Sequence, residues 1–438
     1  MLDIRSLRDD PETARSSLAR RGDPELDGML DRALRLDARR REILGEVETL
    51  KAERNDASRR IGDRKRRGEE ADDLIAAMQG VADRIRELDR QLAATEEEMR
   101  DTLLMLPNLP DERVPAGGEG EFEVVREWGE PTGSPDEGSV PHWDIGEALG
   151  VLDLERGARV AGSGFPLLVG RGARLSRGLI QFMLDLHTQE HGYLEVAPPL
   201  LVNREALIGT GQLPKFEEDL YRTDPDDLFL VPTAEVPVTN LHAGELLAEE
   251  DLPIAYVAHT PCFRREAGAA GRDTRGMLRV HQFDKVELVR LTTPEASPDE
   301  LEQLTRHAET VLERLELPYR RILLPVGDLG FANAITYDLE VWSPGVGRWL
   351  EVSSCSSYTD YQARRSDTRY RPAGGGKPVH VHTLNGSGVA LARTIVALLE
   401  TFRQPDGSVA MPDALRPWVG FDRLAAGPAR APVDAAAR

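Results

Sequence analysis

The chain has 438 residues, 40% of them apolar and 30% charged, which suits a globular protein of two or three domains, each with a packed core. A net charge of −21 excludes a protein that coats nucleic acid with its whole surface, so any nucleic-acid contact must be regional. No run of about 18 apolar residues occurs, and the N-terminus MLDIRSLRDDPE is charged from its third residue, so the expectation is no membrane span, no signal peptide and a cytoplasmic location.

From about Leu26 to Leu106, charged residues are threaded with regularly spaced apolar ones. Leu74, Met78, Val81, Ile85, Leu88, Leu92, Thr95 and Met99 follow alternating steps of four and three, the a/d seam of a coiled coil. Upstream, Met29, Leu36, Ile43 and Leu50 recur every seven residues, with Val47 and Ile61 in partner positions. Between the halves, Arg64-Lys65-Arg66-Arg67-Gly68 breaks the rhythm and reads as a turn. The pattern predicts an antiparallel helical hairpin within residues 1–110, with arms of roughly 35 to 40 residues and about 50 to 60 Å.

Arginines crowd the first arm and its tip. By charge alone they read equally as a solvated face paired with glutamates. Their concentration in an otherwise acidic chain favours phosphate contact, and Arg39, Arg40, Arg59, Arg60, Arg64, Lys65, Arg66 and Arg67 are the candidate RNA-binding residues.

After Leu106-Pro107-Asn108-Leu109-Pro110 a Gly/Pro/Glu-rich stretch follows, read as a linker and joining segment over 111–170 with one short strand, Phe122 to Val125. Residues 171–422 mix helices with β-rich runs such as Leu228 to Val231, Lys285 to Val289 and Arg321 to Leu324. Strands and helices do not alternate strictly, so an α+β domain on an antiparallel sheet is expected rather than a doubly wound parallel one. The Ala/Pro-rich tail, 423–438, is expected to be disordered.

Cys262 and Cys355 are the only cysteines, without the paired spacing of a structural zinc, and read as reduced core thiols. Gly374-Gly375-Gly376-Lys377 is followed by Pro378 and is not a phosphate-binding P-loop. His187-Thr188-Gln189-Glu190-His191 matches the H-x-x-E-H zinc-protease pattern. The stripe Leu179, Ile180, Phe182, Met183 and Leu186 before it, Gly192 after it and the lack of a third ligand make these helix-end histidines instead, and no zinc is expected.

Four polar segments carry the chemistry: Thr233-Ala234-Glu235; Phe263-Arg264-Arg265-Glu266 through Gly271-Arg-Asp-Thr-Arg-Gly276 to His281–Glu287; Glu351-Val352-Ser353-Ser354; and Leu384-Asn-Gly-Ser-Gly388 with Arg393. Together they supply arginines for phosphate, carboxylates for a metal or an ammonium, and glycine-flanked small residues that let a ligand approach. With Thr210–Phe216, Tyr337–Trp342 and Gln362–Arg365, these strings resemble those of bacterial seryl-tRNA synthetases, a class II family, over all but the tail.

That resemblance implies a serine–tRNA ligase that forms seryl-adenylate from L-serine and ATP and charges tRNA(Ser), and tRNA(Sec) where present. Motif 1, Gly178 to His191 with the run to Pro199, would form a homodimer interface. In motif 2, Phe263 to Glu287, Arg264 would bind the α-phosphate with the serine carboxylate and Glu266 would contact adenine. In motif 3, Leu384 to Leu399, Arg393 would hold the γ-phosphate. Arg265, Val280, Glu351, Val352, Ser353 and Ser354 complete the implied ATP set, and Glu351 and Ser354 would hold Mg²⁺. Thr233, Ala234 and Glu235 would surround the serine amine, while Glu287 and Ser387 would read its hydroxyl.

The implied chemistry needs no side-chain base, because the serine carboxylate is already ionised at neutral pH. Two departures from the family pattern are Gly164, where arginine is frequent, and Ser357, where asparagine is common. A class II paralogue serving antibiotic self-resistance or aminoacyl supply to biosynthesis is the alternative. Paralogues that load carrier proteins typically lack the arm.

Overall fold

A computed structural model describes residues 1–118, 120–267 and 275–425, in two units, Met1–Leu109 and Pro110–Arg438. The first unit is helical: α1 (Ile4–Asp9), α2 (Pro11–Ala19), α3 (Glu25–Arg66) and α4 (Asp72–Leu104). Asp3 and Asp10 cap α1 and α2 through their side chains, and Pro11 opens α2 at a position whose N–H has no intrahelical acceptor.

The seam packs as its spacing predicts. Ile43 and Val47 of α3 meet Leu88 of α4, with Leu50 and Leu92 beside them. Ion pairs Arg32–Glu98, Arg40–Glu96 and Arg84–Glu46, each 2.7 to 2.8 Å, tie the two helices at the surface. Gly68 at φ +76° ends α3, and the Glu69 N–H donates back to the Arg64 carbonyl, so the turn falls where the rhythm breaks. On α3, Asp37 is 2% exposed and accepts from Arg8 of α1 and from Arg41.

The second unit is built on an eight-stranded sheet of β1 (Glu123–Trp128), β2 (Leu194–Glu195), β3 (Ile254–Phe263), β4 (Gln282–Thr292), β5 (Tyr319–Leu323), β6 (Ile335–Ser343), β7 (Arg348–Ser357) and β8 (His382–Ala390). Their order is β1-β5-β6-β7-β8-β4-β3-β2, antiparallel throughout except for β2 against β3. This is the expected α+β architecture. Helices α5 (His142–Ala148), α6 (Arg171–Gln189), α7 (Ser297–Arg314) and α8 (Leu391–Thr401) join one core with the apolar face of the sheet.

Strand alternation separates that core from the functional face. On β4, Val286 and Leu288 enter the core while Lys285 and Glu287 point the other way; on β8, Leu384 enters it while Asn385 and Ser387 do not. The 111–170 stretch, expected as a linker, is part of this body: β1 pairs with β5, the strand running to Trp128 rather than stopping at Val125, and Ile145, Leu149, Val151 and Leu152 lie in the core. Cys262 and Cys355 are buried and unpaired, and burial pushes the Cys355 thiol up to about 12. The tail expected from 423 begins later: Arg423–Leu424 pair as a strand with Val409–Ala410 and Leu424 is buried, while residues 426–438 lie outside the described residues.

Candidate active site

The polar face of the sheet floors a cavity of about 410 Å³ lined from β4, β7 and β8, from the chain either side of them and from Arg264 just after β3. Two bulges decide what points into it. In β7, Glu340 pairs with Glu351 and Leu339 with Ser353, so Val352 is an extra residue. In a regular strand residues three apart face opposite ways, and the bulge brings Glu351 and Ser354 to the same face. In β8 the register slips between Ser387 and Ala390, which likewise places both at the cavity.

One end of the cavity is acidic. Asn385 donates to Glu235 Oε2 at 3.1 Å and to Glu287 Oε1 at 2.8 Å, and its own carbonyl accepts from the Tyr358 hydroxyl at 2.7 Å. Glu235 Oε1 also accepts from Gln362 Nε2 at 2.7 Å, and Gln362 is oriented by Thr383, which donates to its Oε1. Lys285 pairs with Glu287 and donates to Thr233 Oγ1 at 2.8 Å, while Thr233 donates to Glu287 Oε2 at 3.3 Å. Two carboxylates and one ammonium leave a formal charge of −1 when all are ionised. Burial first, and then the neighbouring Glu287, push the Glu235 carboxyl up to about 7.

The other end is rich in arginine. Arg264 lies 5.2 Å over the Phe283 ring and donates from Nε to the Pro232 carbonyl, leaving its terminal nitrogens toward the cavity. Arg393, on α8, donates from Nε to the Leu278 carbonyl at 3.0 Å and from Nη1 to the Glu351 carbonyl at 2.7 Å and carboxylate at 3.3 Å. Glu266, at φ +52°, pairs with Arg279 at 2.7 Å, and Val280 closes the wall beside them.

Beneath Glu351, Asp338 of β6 stands opposite Ser354, and its Oδ1 has no hydrogen-bond partner among the described residues. Burial, with Glu351 alongside, raises the Asp338 carboxyl well above the usual carboxylate range. Glu351 and Ser354 are hard oxygen donors that line the cavity, a set that would suit Mg²⁺.

The structure thus brings together Thr233, Glu235, Arg264, Glu266, Val280, Glu287, Glu351, Ser354, Ser387 and Arg393 around one cavity. Ala234 is buried beneath it, at the start of the short helix Glu235–Thr239. Three of the expected residues turn elsewhere. Arg265 donates to the Glu218 carbonyl, outside the cavity; Val352 is in the hydrophobic core; and the Ser353 hydroxyl donates to the Ser387 carbonyl at 2.6 Å. Within Gly271–Gly276, residues 271–274 lie outside the described residues.

Sequence reasoning missed Asn385, Lys285, Tyr358 and Gln362 as site residues. Asn385, Lys285 and Gln362 lie inside strings already singled out, and for the first two the only further signal was their position two residues from Ser387 and Glu287, on the same strand face.

The two departures are accommodated. Gly164 has φ +81° and a Cβ there would meet the His281 ring at 2.5 Å, while the Ser357 hydroxyl lies 3.4 Å from that of Ser297 on α7.

The H-x-x-E-H residues form no metal-holding group among the described residues. His187 is buried with Nδ1 2.9 Å from His191 Nδ1, its Nε2 donates to the Gly388 carbonyl, and Glu190 pairs with Arg314. Burial, then His191, hold the His187 ring down at about 3.

In the helical unit, Arg40 is spent on Glu96 and Arg39 on Glu42 and Gln91, while Arg59, Arg64, Arg66 and Arg67 have acidic neighbours. Arg60 and Lys65 have no side-chain partner among the described residues.

Residues 1–110 match the model of the seryl-tRNA synthetase N-terminal domain, and residues 215–402 that of the tRNA synthetase class II core domain of the G, H, P, S and T enzymes. The serine–tRNA ligase of Gemmatimonas aurantiaca is 55% identical over 97% of this chain and 100% of its own length. The chain belongs to the seryl-tRNA synthetases. A second such ligase, from Geobacillus kaustophilus, is 54% identical over 96% of this chain and 99% of its own. The crystal structure of seryl-tRNA synthetase from Pyrococcus horikoshii complexed with ATP superposes with a TM-score of 0.92 at 38% identity, covering 98% of this chain and all of that one. Membership in this family accounts for a long two-helix arm preceding the class II core.

Proposed function

We propose that this synthetase joins L-serine to ATP as seryl-adenylate, releasing pyrophosphate, and then transfers the seryl group to the 3′ end of tRNA(Ser), releasing AMP. The observation that carries the residue roles is that one cavity is lined both by Glu235 and Glu287, linked through Asn385, and by Arg264 and Arg393, the latter paired with Glu351.

The acidic end fits the serine ammonium, with Thr233, Glu235 and Glu287 as its acceptors, and Ser387 and Glu287 are within the same wall to bond the serine hydroxyl. Alanine would leave those buried groups unpaired, a discrimination of roughly 10⁴-fold by analogy with other hydroxyl-reading sites, and threonine would be excluded by its methyl group.

Between the two ends, the serine carboxylate attacks the α-phosphorus as the bond to pyrophosphate breaks. Arg264 offsets the charge of both anions, and Arg393 steers the far phosphates. Glu351 and Ser354 would hold Mg²⁺, which when bound supplies further neutralisation of phosphate charge. In the second step a terminal ribose hydroxyl of the tRNA attacks the serine carbonyl, and its proton passes to a phosphate oxygen of the leaving AMP.

The arm serves to grip tRNA through its basic tip, with Arg60 and Lys65 free to meet phosphates. A homodimer through α6 and the run after it is supported by exposed apolar side chains there, Leu194 at 62%, Leu200 at 42% and Leu201 at 45%. No described helix is long and apolar enough to cross a membrane.

Serine-dependent exchange of pyrophosphate into ATP, followed by transfer to tRNA(Ser), tests the reading. Exchange that prefers alanine or glycine would defeat it.

A further inference from the structure

The strongest unassigned polar assembly lies behind the arginine-lined wall, in the stretch expected to be a linker. His142, the first residue of α5, is completely buried. Its backbone N–H and Nδ1 both meet Glu400 Oε1, at 2.8 and 2.9 Å. Glu400 Oε2 accepts from the Ser343 hydroxyl and from the Gly345 N–H. On the opposite side of the ring, the Met277 backbone N–H donates to His142 Nε2 at 3.0 Å.

A backbone N–H can only donate, so Nε2 must be the unprotonated acceptor. Nδ1 therefore carries the proton and donates to Glu400. The ring is fixed in tautomer and orientation by its two neighbours, with nothing left to choose. The approach is close enough to dictate sequence: Gly276 has φ +71°, and a Cβ there would stand 2.1 Å from His142 Nε2.

What this clamp holds is the stretch Met277 to Val280, all four of which line the cavity. The Leu278 carbonyl, one residue from the clamped amide, accepts from Arg393 Nε, and Arg279 pairs with Glu266. We infer that His142, oriented by Glu400, is a positioning residue for the nucleotide end of the site, setting through the Met277 amide where Arg393 and Glu266 stand. The inference rests on the proposed assignment of that end to ATP.

The test is steady-state pyrophosphate exchange with ATP and serine varied separately. His142→Leu keeps bulk but leaves the buried Met277 N–H without an acceptor, and should raise the KM for ATP about 10- to 100-fold while the KM for serine stays within about twofold. His142→Gln places a carbonyl oxygen near the position of Nε2 and should bring the ATP KM back to within about threefold of the parent. Glu400→Gln, which loosens the ring without touching Met277, should raise the ATP KM by a smaller factor.

A merely structural His142 would lower thermal stability and active fraction without separating the two KM values, and Gln would do no better than Leu; either result overturns the role. If His142→Leu does not fold, the Gln variants at 142 and 400 carry the same comparison. Absence of serine-dependent exchange in the unmodified enzyme would instead defeat the functional assignment itself.

Discussion

Glu235 and Glu287, on different elements and 52 residues apart in sequence, are joined through a single side chain: the Asn385 amide donates to both, at 3.1 and 2.8 Å. Two buried carboxylates repel, and the shared donor, with Lys285 on the far side of Glu287, holds them at one end of the cavity.

Removing that donor should be costly for serine alone. Asn385→Ala is expected to raise the serine KM in pyrophosphate exchange about 10- to 100-fold, with the ATP KM little changed. Equal effects on both substrates would mean that Asn385 supports the whole cavity.

Serine binding should weaken in acid. The ammonium is favoured by ionised Glu235, whose carboxyl burial and Glu287 raise to about 7, so protonation on lowering the pH removes the attracting charge. The serine KM should rise about tenfold from pH 8 to pH 6, and Glu235→Gln should flatten that dependence while starting from a weaker affinity. A KM that is level across this range would assign the ammonium to Glu287.

Arg393 ties the Leu278 carbonyl to Glu351 and lines the cavity where the proposed function places the phosphates. Arg393→Ala should therefore lower kcat for exchange by about 10²- to 10³-fold, and raising Mg²⁺ should not restore it. Recovery at high Mg²⁺ would reduce its role to simple charge neutralisation.

Gly388 is held to glycine by α6, since a Cβ there would lie 2.7 Å from His187 Nε2. Gly388→Ala should cost about 1 to 3 kcal/mol in thermal or denaturant unfolding. Adding His187→Ala should recover part of that loss, because the two changes share one contact.

Deleting about Leu36 to Leu92 should spare exchange and abolish tRNA charging. More finely, replacing Arg60 and Lys65 with alanine should weaken tRNA binding and flatten its salt dependence by a slope of about 1 to 2. Charging that survives the deletion would give the arm another purpose.

The arm was legible in the sequence because it rests on local rules, whereas the stretch 111–170, read as a linker, belongs to the second unit through pairings and packing that no local rule shows. A heptad seam forces two helices together wherever it occurs, and a glycine after a basic run ends the first of them. The four polar segments were legible as family strings, and Arg264, Glu351 and Arg393 do meet at one cavity.

Tertiary structure decided which members of those strings face it. Glu351 and Ser354 share a side only because Val352 is a bulge, an extra residue that no local pattern announces, and the same bulge sends Val352 into the core. Tyr358, Gln362 and His142 acquire their roles from partners 27 to 258 residues away, and a hydrogen bond of that reach has no periodicity to betray it. Sequence alone determined the helical arm and the antiparallel α+β core, and through the family resemblance it singled out the strings from which the cavity is lined. The register slips and long-range hydrogen bonds, set by how strands pair and helices cover them, decided which of those residues form the cavity.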